Sequence, residues 1–208
     1  MTKERLVEFI DCEFGYQKYT QFDIKKLSFN KVQNEIVIKK LNLTLDKNKI
    51  YGVLGKNGSG KSTLLRLVFN HLFPSSGNII RNFSKSKLLD RANVYHSELD
   101  AFDNFKSYYS LDFNSDFNNQ KYKNKLEKFV ELTTLPKPSL YKPFSTLSEG
   151  MKSKVAFALN MVFIENLDLL GLDEFFSFGD SDFKKVSSNY MREVLLSSGS
   201  AIVVSHDT

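Results

Sequence analysis

The sequence predicts an α/β fold in which a parallel sheet with helices is preceded by an antiparallel β layer and interrupted by a helical insert. Three observations predict it. An apolar run, Ile50-Tyr51-Gly52-Val53-Leu54, passes through a glycine-rich turn into a second apolar stretch, Leu64 to Phe69. That order reads as buried strand, tight turn and amphipathic helix. The same alternation returns late in the chain: a helical pattern from about Gly150 to Phe163, an apolar strand at Leu167 to Leu172, a helix from about Asp182 to Leu196, and a last strand, Ala201-Ile202-Val203-Val204. Strands separated by helices of that length form parallel sheets. The first fifty residues, by contrast, carry strand signals alone.

Residues 1–50 open with the apolar pieces Val7 to Ile10 and Glu13-Phe14, with Gly15 expected as a turn. Ile24, Leu27, Phe29 and Ile36 to Ile38 read as strands around a turn at Lys31 to Asn34. Leu41, Leu43 and Leu45 alternate with polar residues, the period of a half-buried strand. After the glycine turn a helix is expected from Ser62 to about Leu72, with Leu64, Leu67, Val68 and His71 on one face, stopped by Pro74-Ser75-Ser76-Gly77. Ile79-Ile80 reads as a brief strand. Residues 85–140 are rich in Asn, Asp, Lys, Phe and Tyr at helical spacing; Leu126, Phe129, Val130 and Leu132 share one side of a helix at Lys121 to Thr133, lysines the other. The division is an antiparallel β layer at 1–50, a core at 51–84 and 141–208, and a helical subdomain at 85–140, within one domain.

Composition narrows the function classes. The chain has 208 residues, 41% hydrophobic, enough for one packed core. Its net charge is +5, but the lysines are scattered without a run, so no nucleic-acid partner is expected. One cysteine, Cys12, allows no internal disulfide, and with three histidines it argues against a Cys/His zinc site. No apolar stretch reaches the ~18 residues of a membrane span, and the N-terminus lacks a signal-peptide core. A cytoplasmic protein is expected.

The glycine-rich turn carries the chemistry. Gly55-Lys56-Asn57-Gly58-Ser59-Gly60-Lys61-Ser62-Thr63 matches G-x-x-x-x-G-K-[ST] in the strand–turn–helix context that makes the pattern a phosphate-binding loop. Backbone N–H groups of Gly55, Asn57, Gly58, Ser59 and Gly60 would face an anion, helped by the helix dipole. Lys61 would reach the β- and γ-phosphates of a nucleoside triphosphate, and the Ser62 hydroxyl would meet Mg2+, with Thr63 beside it.

Three later segments add to it. In Leu169-Leu170-Gly171-Leu172-Asp173-Glu174 a carboxylate ends an apolar strand, where ligands bind parallel sheets. Asp173 suits Mg2+, and Glu174 is placed to polarise the attacking water. In Leu147-Ser148-Glu149-Gly150-Met151, Ser148 and Gly150 open a helix whose N–H groups suit a terminal phosphate; the same residues also read as an ordinary N-cap. Ser205-His206-Asp207 places His206 just past the last strand, within reach of a γ-phosphate.

In order and spacing these segments resemble the ATP-binding-cassette ATPases over about residues 23–208. The resemblance implies a P-loop NTPase (RecA-like) core. It makes Gly55 to Thr63 the Walker A motif, Leu147 to Met151 the signature, Leu169 to Asp173 the Walker B strand and Ser177 to Asp180 the D-loop. It makes Glu174 the catalytic base and His206 the switch histidine. Ser148 to Ala158 looks like the SxGM-K-x-R-LAFA form of exporters of capsular polysaccharide, O-antigen and wall teichoic acid, and Leu172 to Phe183 is similar to the same group's IDE-x-L-x-VGD-x-x-F.

The resemblance implies a nucleotide-sandwich dimer with a second cassette, a homodimer in the simplest case, in which the signature of one copy completes the site of the other. It also implies a separate membrane-embedded permease, so the chain is expected on the inner face of the cell membrane. Phe102, Phe105, Tyr108 and Tyr109 are candidates for that contact, or for the insert's own core. Departures from the pattern are His96 where the family carries glutamine, and Glu149 in the signature. His96 can bond to water or hold a metal. Phe29, Tyr16 and Tyr19 are the candidates to stack on adenine. The family pattern continues with a strand and helix that the sequence to Thr208 does not contain. A non-transport cassette protein and a regulatory nucleotide-binding module with low turnover are the rival readings.

Overall fold

The computed structural model describes residues 4–23, 28–89, 95–113, 117–173 and 180–205, with the side chains of 17–34 and 112–113 left aside. Two compact units are present: 1–88 with 168–173 and 199–208, and 89–167 with 174–198.

In the first unit the N-terminal residues form two long antiparallel strands, β1 (Arg5–Asp23) and β2 (Ser28–Asp46). They pair along their whole length, from Arg5 opposite Asp46 to Asp23 opposite Ser28. The turns expected at Gly15 and at Lys31 to Asn34 are therefore corrected to strand. Gly15 sits opposite Ile36, where a Cβ would lie 2.9 Å from the Glu35 carbonyl oxygen, so glycine marks a close approach. The chain bends at bulges instead, between Phe9 and Cys12. Asp11 lies there with φ 43°, held by Asn42: the Asp11 N–H donates to Asn42 Oδ1 (2.8 Å), and Asn42 Nδ2 donates to Asp11 Oδ1 (2.9 Å).

β3 (Ile50–Leu54) leads into α1 (Lys61–Val68). α1 ends a turn earlier than its periodicity suggests. Asn70 turns left-handed at φ 61°, and the N–H groups of His71 and Leu72 both donate to the Arg66 carbonyl. His71 is exposed, off the buried face. β4 (Ser76–Arg81) pairs antiparallel with β1, completing a three-stranded sheet ordered β2-β1-β4. The second sheet is ordered β3-β7-β6-β5, from β5 (Ser86–Leu89), β6 (Leu169–Asp173) and β7 (Ser200–Ser205), with β3, β7 and β6 parallel. β5 lies where only helix was expected. One core joins these layers: Leu6, Val7 and Phe9 of β1, Leu65, Leu67 and Val68 of α1, Leu169 of β6, Ile202 and Val204 of β7. Each such side chain contributes about 1.5–3 kcal/mol when fully buried.

The second unit is helical: α2 (Ala101–Phe113), α3 (Gln120–Thr133), α4 (Lys137–Leu140), α5 (Glu149–Val162) and α6 (Ser181–Ser197). Phe105 is its centre, with rings of Tyr122, Phe129 and Phe163 at 5.6, 5.1 and 5.2 Å. Phe105 and Tyr109 are buried and so belong to the insert's core, while Phe102 packs on the exposed Tyr141. Lys125 departs from the amphipathic pattern of α3. Expected in solvent, its side chain is 7% exposed, with Nζ 2.7 Å from the Val162 carbonyl and 2.6 Å from Glu165 Oε1. A buried ammonium needs such partners, and here it also meets the negative end of α5. Burial pushes the Glu165 carboxyl up, and hydrogen bonds from Lys125 and Lys121 more than reverse that.

Candidate functional site: a phosphate loop and a carboxylate on one sheet edge

The loop from Gly55 to Gly60 leaves the C-terminal end of β3 and opens α1. Gly58 and Gly60 hold φ 78° and 91°, the left-handed region that glycine enters without penalty. Gly60 has a second constraint: a Cβ there would lie 2.9 Å from Val37 Cγ1 on β2. Lys56, Asn57, Gly58 and Ser59 are exposed, while Lys61 is 7% exposed beneath them. The Lys61 ammonium donates to the carbonyls of Gly55 (2.7 Å) and Lys56 (2.9 Å), so the lysine spans the loop from inside. Ser62 is half-buried and Thr63 buried.

Asp173 comes to the same edge. In register, Leu54 pairs with Ser205 and Asp173 with Val204, so β3 and β6 end together on either side of β7. Asp173 Oδ1 is buried and has no hydrogen-bond partner among the described residues. An orphaned carboxylate oxygen costs about 1–3 kcal/mol or more, and a hard divalent cation that takes oxygen ligands can satisfy it. Asp173 together with the Ser62 hydroxyl fits Mg2+. No group of three or more His, Cys, Asp or Glu with metal-site geometry occurs among the described residues.

In the second unit, Ser148 is the N-cap of α5, its hydroxyl accepting from the Met151 N–H at 3.3 Å. Glu149 is exposed and pairs with Lys152 at 2.8 Å. A Cβ on Gly150 would meet nothing within 4 Å, so the chain's own packing does not require glycine there. His96 is exposed, on a stretch fixed by Asn104. The buried Asn104 accepts from the His96 N–H (2.8 Å) and donates to the carbonyls of His96, Leu99 and Asp100. Glu174, Ser177 to Gly179 and His206 lie outside the described residues, as do the side chains of Tyr19 and Phe29.

Three contacts were not legible in the sequence. Tyr16 Oη lies 3.2 Å from Thr63 Oγ1. Arg81 donates to the Val68 (2.9 Å) and Leu67 carbonyls, capping the far end of α1. Lys154 of α5 pairs with Asp180 at 2.8 Å. Each joins residues distant in sequence; the signal for the last, a cation and an acid near two helix starts, is too common to read alone.

The ABC transporter family model matches residues 38–177. The chain is 36% identical over 148 residues to the ATP-binding protein BexA of Haemophilus influenzae, covering 71% of this chain and 64% of that one. It is 34% identical over 170 residues to the polysialic acid transport ATP-binding protein KpsT of Escherichia coli, covering 82% and 74%. It is 28% identical over 181 residues to the teichoic acids export ATP-binding protein TagH of Staphylococcus epidermidis, covering 86% and 65%. The chain thus spans just under two thirds of BexA and of TagH. In fold, it superposes on a dimeric ATP-binding cassette, MJ0796, bound to ADP and Pi, with TM-score 0.72 at 16% identity over 97% of this chain and 88% of that one.

Proposed function

The chain belongs to the ABC transporter family, and on that premise we propose that it is the ATP-binding and ATP-hydrolysing subunit of an exporter whose cargo is a cell-surface polysaccharide. The observation that carries hydrolysis is the buried, unpartnered Asp173 oxygen on the sheet edge that also presents the phosphate loop. Backbone N–H groups of the loop bind the phosphates, and Lys61 exchanges its two carbonyl partners for phosphate oxygens. Mg2+, held by Ser62 and Asp173, would neutralise charge on the β- and γ-phosphates. Glu174 takes a proton from the attacking water as its oxygen bonds to the γ-phosphorus and the bond to ADP breaks; His206 contacts the γ-phosphate.

Ser148 and Gly150 serve the site of a second copy. The free space around Gly150 supports that role, because a phosphate can approach its backbone without obstruction. The polysaccharide class rests on the names of the relatives, which concern capsule, polysialic acid and teichoic acid. Among the described residues no helix is long and apolar enough to cross a membrane; the relatives' description as ATP-binding proteins of export systems supports a separate permease as the path. The subunit then works on the cytoplasmic face of the membrane.

Glu174→Gln tests the reading. The variant should bind ATP with wild-type affinity, lose hydrolysis at least a hundredfold, and accumulate as an ATP-bound dimer in size-exclusion chromatography. Wild-type turnover would remove Glu174 as the base; a monomer at saturating ATP would remove the sandwich.

A further inference from the structure

Arg81 spends its donors on a helix end. It closes β4, opposite Val7 of β1, and its half-buried side chain reaches the C-terminal end of α1. Nε donates to the Val68 carbonyl at 2.9 Å and Nη2 to the Leu67 carbonyl, while Nη1 lies 3.4 Å from the carbonyl of Ile79 on its own strand. Among the described residues Arg81 pairs with no carboxylate. Burial lowers its pKa, but a guanidinium stays ionised. A half-buried charge without a counter-ion needs other compensation, and the negative end of a helix supplies it.

The end of α1 is shaped around this contact. The main chain satisfies the Arg66 carbonyl, which accepts from the N–H groups of both His71 and Leu72. The Leu67 carbonyl takes a longer bond from the Asn70 N–H, 3.3 Å, as well as Arg81, and the Val68 carbonyl accepts from Arg81. The opposite end of the same helix is the exit of the phosphate loop: Lys61, Ser62 and Thr63 are its first three residues. Its 8 residues make a rod about 12 Å long. So short a rod moves as one body. A tilt at Leu67 and Val68 is carried to the N–H groups of the first turn and to the Lys61 stem.

We propose that Arg81 is a positioning residue for the phosphate loop. By holding the last carbonyls of α1 to the antiparallel sheet, it fixes the angle at which the helix presents its first turn to the phosphates. The proposal rests on reading 55–63 as the phosphate site, and it gives Arg81 no contact with the nucleotide. Its loss should therefore weaken ATP and a bare triphosphate alike. A hydrogen bond to a charged group is worth roughly tenfold or more in affinity, so misaligning one loop donor sets the scale.

The experiment is calorimetry of the full chain with ATP and with tripolyphosphate, alongside urea unfolding. Arg81→Met keeps an unbranched stem and removes the donors and the charge; it should raise Kd about tenfold for both ligands. Arg81→Lys keeps a cation but replaces the fork by one ammonium, and should bind more tightly than Arg81→Met, within about fivefold of wild type. Kd is read without denaturant on folded chain, so a purely stabilising residue would not move it. A lower urea midpoint with wild-type Kd in Arg81→Met would overturn the proposal. So would a loss confined to ATP, with tripolyphosphate binding unchanged. If Arg81→Met fails to fold, Arg81→Lys decides alone: a loss of about twofold or more for both ligands supports the link, and wild-type affinity refutes it. Undiminished affinity for both ligands in Lys61→Ala would instead refute the phosphate loop itself, whatever the Arg81 variants do.

Discussion

The hydroxyl of Tyr16 on β1 lies 3.2 Å from that of Thr63 in the first turn of α1, 47 positions later. This contact fixes the middle of the long hairpin beside the phosphate loop. The Tyr16 ring stands edge to face with Phe14 at 5.0 Å between centres and remains 38% exposed. We propose that this ring stacks on the base of a bound nucleotide. Tyr16→Ala should weaken ATP by about 1–3 kcal/mol, roughly five- to 150-fold in Kd, the range for losing one base–aromatic stack. Tyr16→Phe keeps the ring and should stay within about threefold. Calorimetry with ATP and with tripolyphosphate checks this. Tripolyphosphate has no base, so its affinity should be the same in Tyr16→Ala and wild type.

Asp173 makes a sharper prediction because its Oδ1 has no partner among the described residues. Asp173→Asn removes the charge that a divalent cation needs while keeping the shape. ATP affinity measured in EDTA should match wild type, and the gain in affinity on adding Mg2+ should shrink at least tenfold. A nucleotide titration with and without Mg2+ reads both values. An undiminished Mg2+ effect would place the cation elsewhere.

Much of this site was legible because local pattern and chemistry coincide there. The phosphate loop is contiguous, β6 is an apolar run ending in Asp173, and Ser148 is an N-cap followed by a helix. The long hairpin was not legible. Gly15 and the polar stretch at Lys31 to Asn34 carry turn composition, and only cross-strand pairing over nineteen-residue strands overrides it. Lys125 was misplaced for a related reason. Helical period puts a lysine in water, and it takes the carbonyl of Val162 and the carboxylate of Glu165, both from a different part of the chain, to bring it inside. β5 is four residues long, too short for periodicity to register.

Gly171 tests the packing beneath the site. It lies in the buried strand β6, and a Cβ there would fall 2.5 and 2.6 Å from Phe69 Cε2 and Cζ and 2.8 Å from Leu88 Cδ1. The Phe69 ring is buried in the same core. Gly171→Ala should therefore cost about 1–3 kcal/mol by overpacking. Urea unfolding would show a lower midpoint with an unchanged slope. Phe69→Leu makes room, so the double variant should lose less than the sum of the two single losses.

Asp168, just before β6, predicts a dependence on acid. Its Oδ2 accepts from the Lys85 N–H (2.9 Å), the Ser84 N–H (2.8 Å) and the Ser84 hydroxyl (2.9 Å). These donors, with Lys85 the largest influence, hold the carboxyl down to about 2 from an ordinary 3.8. The folded state thus favours the ionised form. The stabilisation is complete above the unfolded value and is lost as pH falls from about 4 to about 2. Asp168→Asn cannot ionise and has no such loss. Thermal midpoints should therefore lie lower for Asp168→Asn than for wild type above pH 5, and the two curves should converge as pH falls toward 2. Parallel curves across that window would mean that the Ser84 and Lys85 donors do not hold the carboxylate in solution.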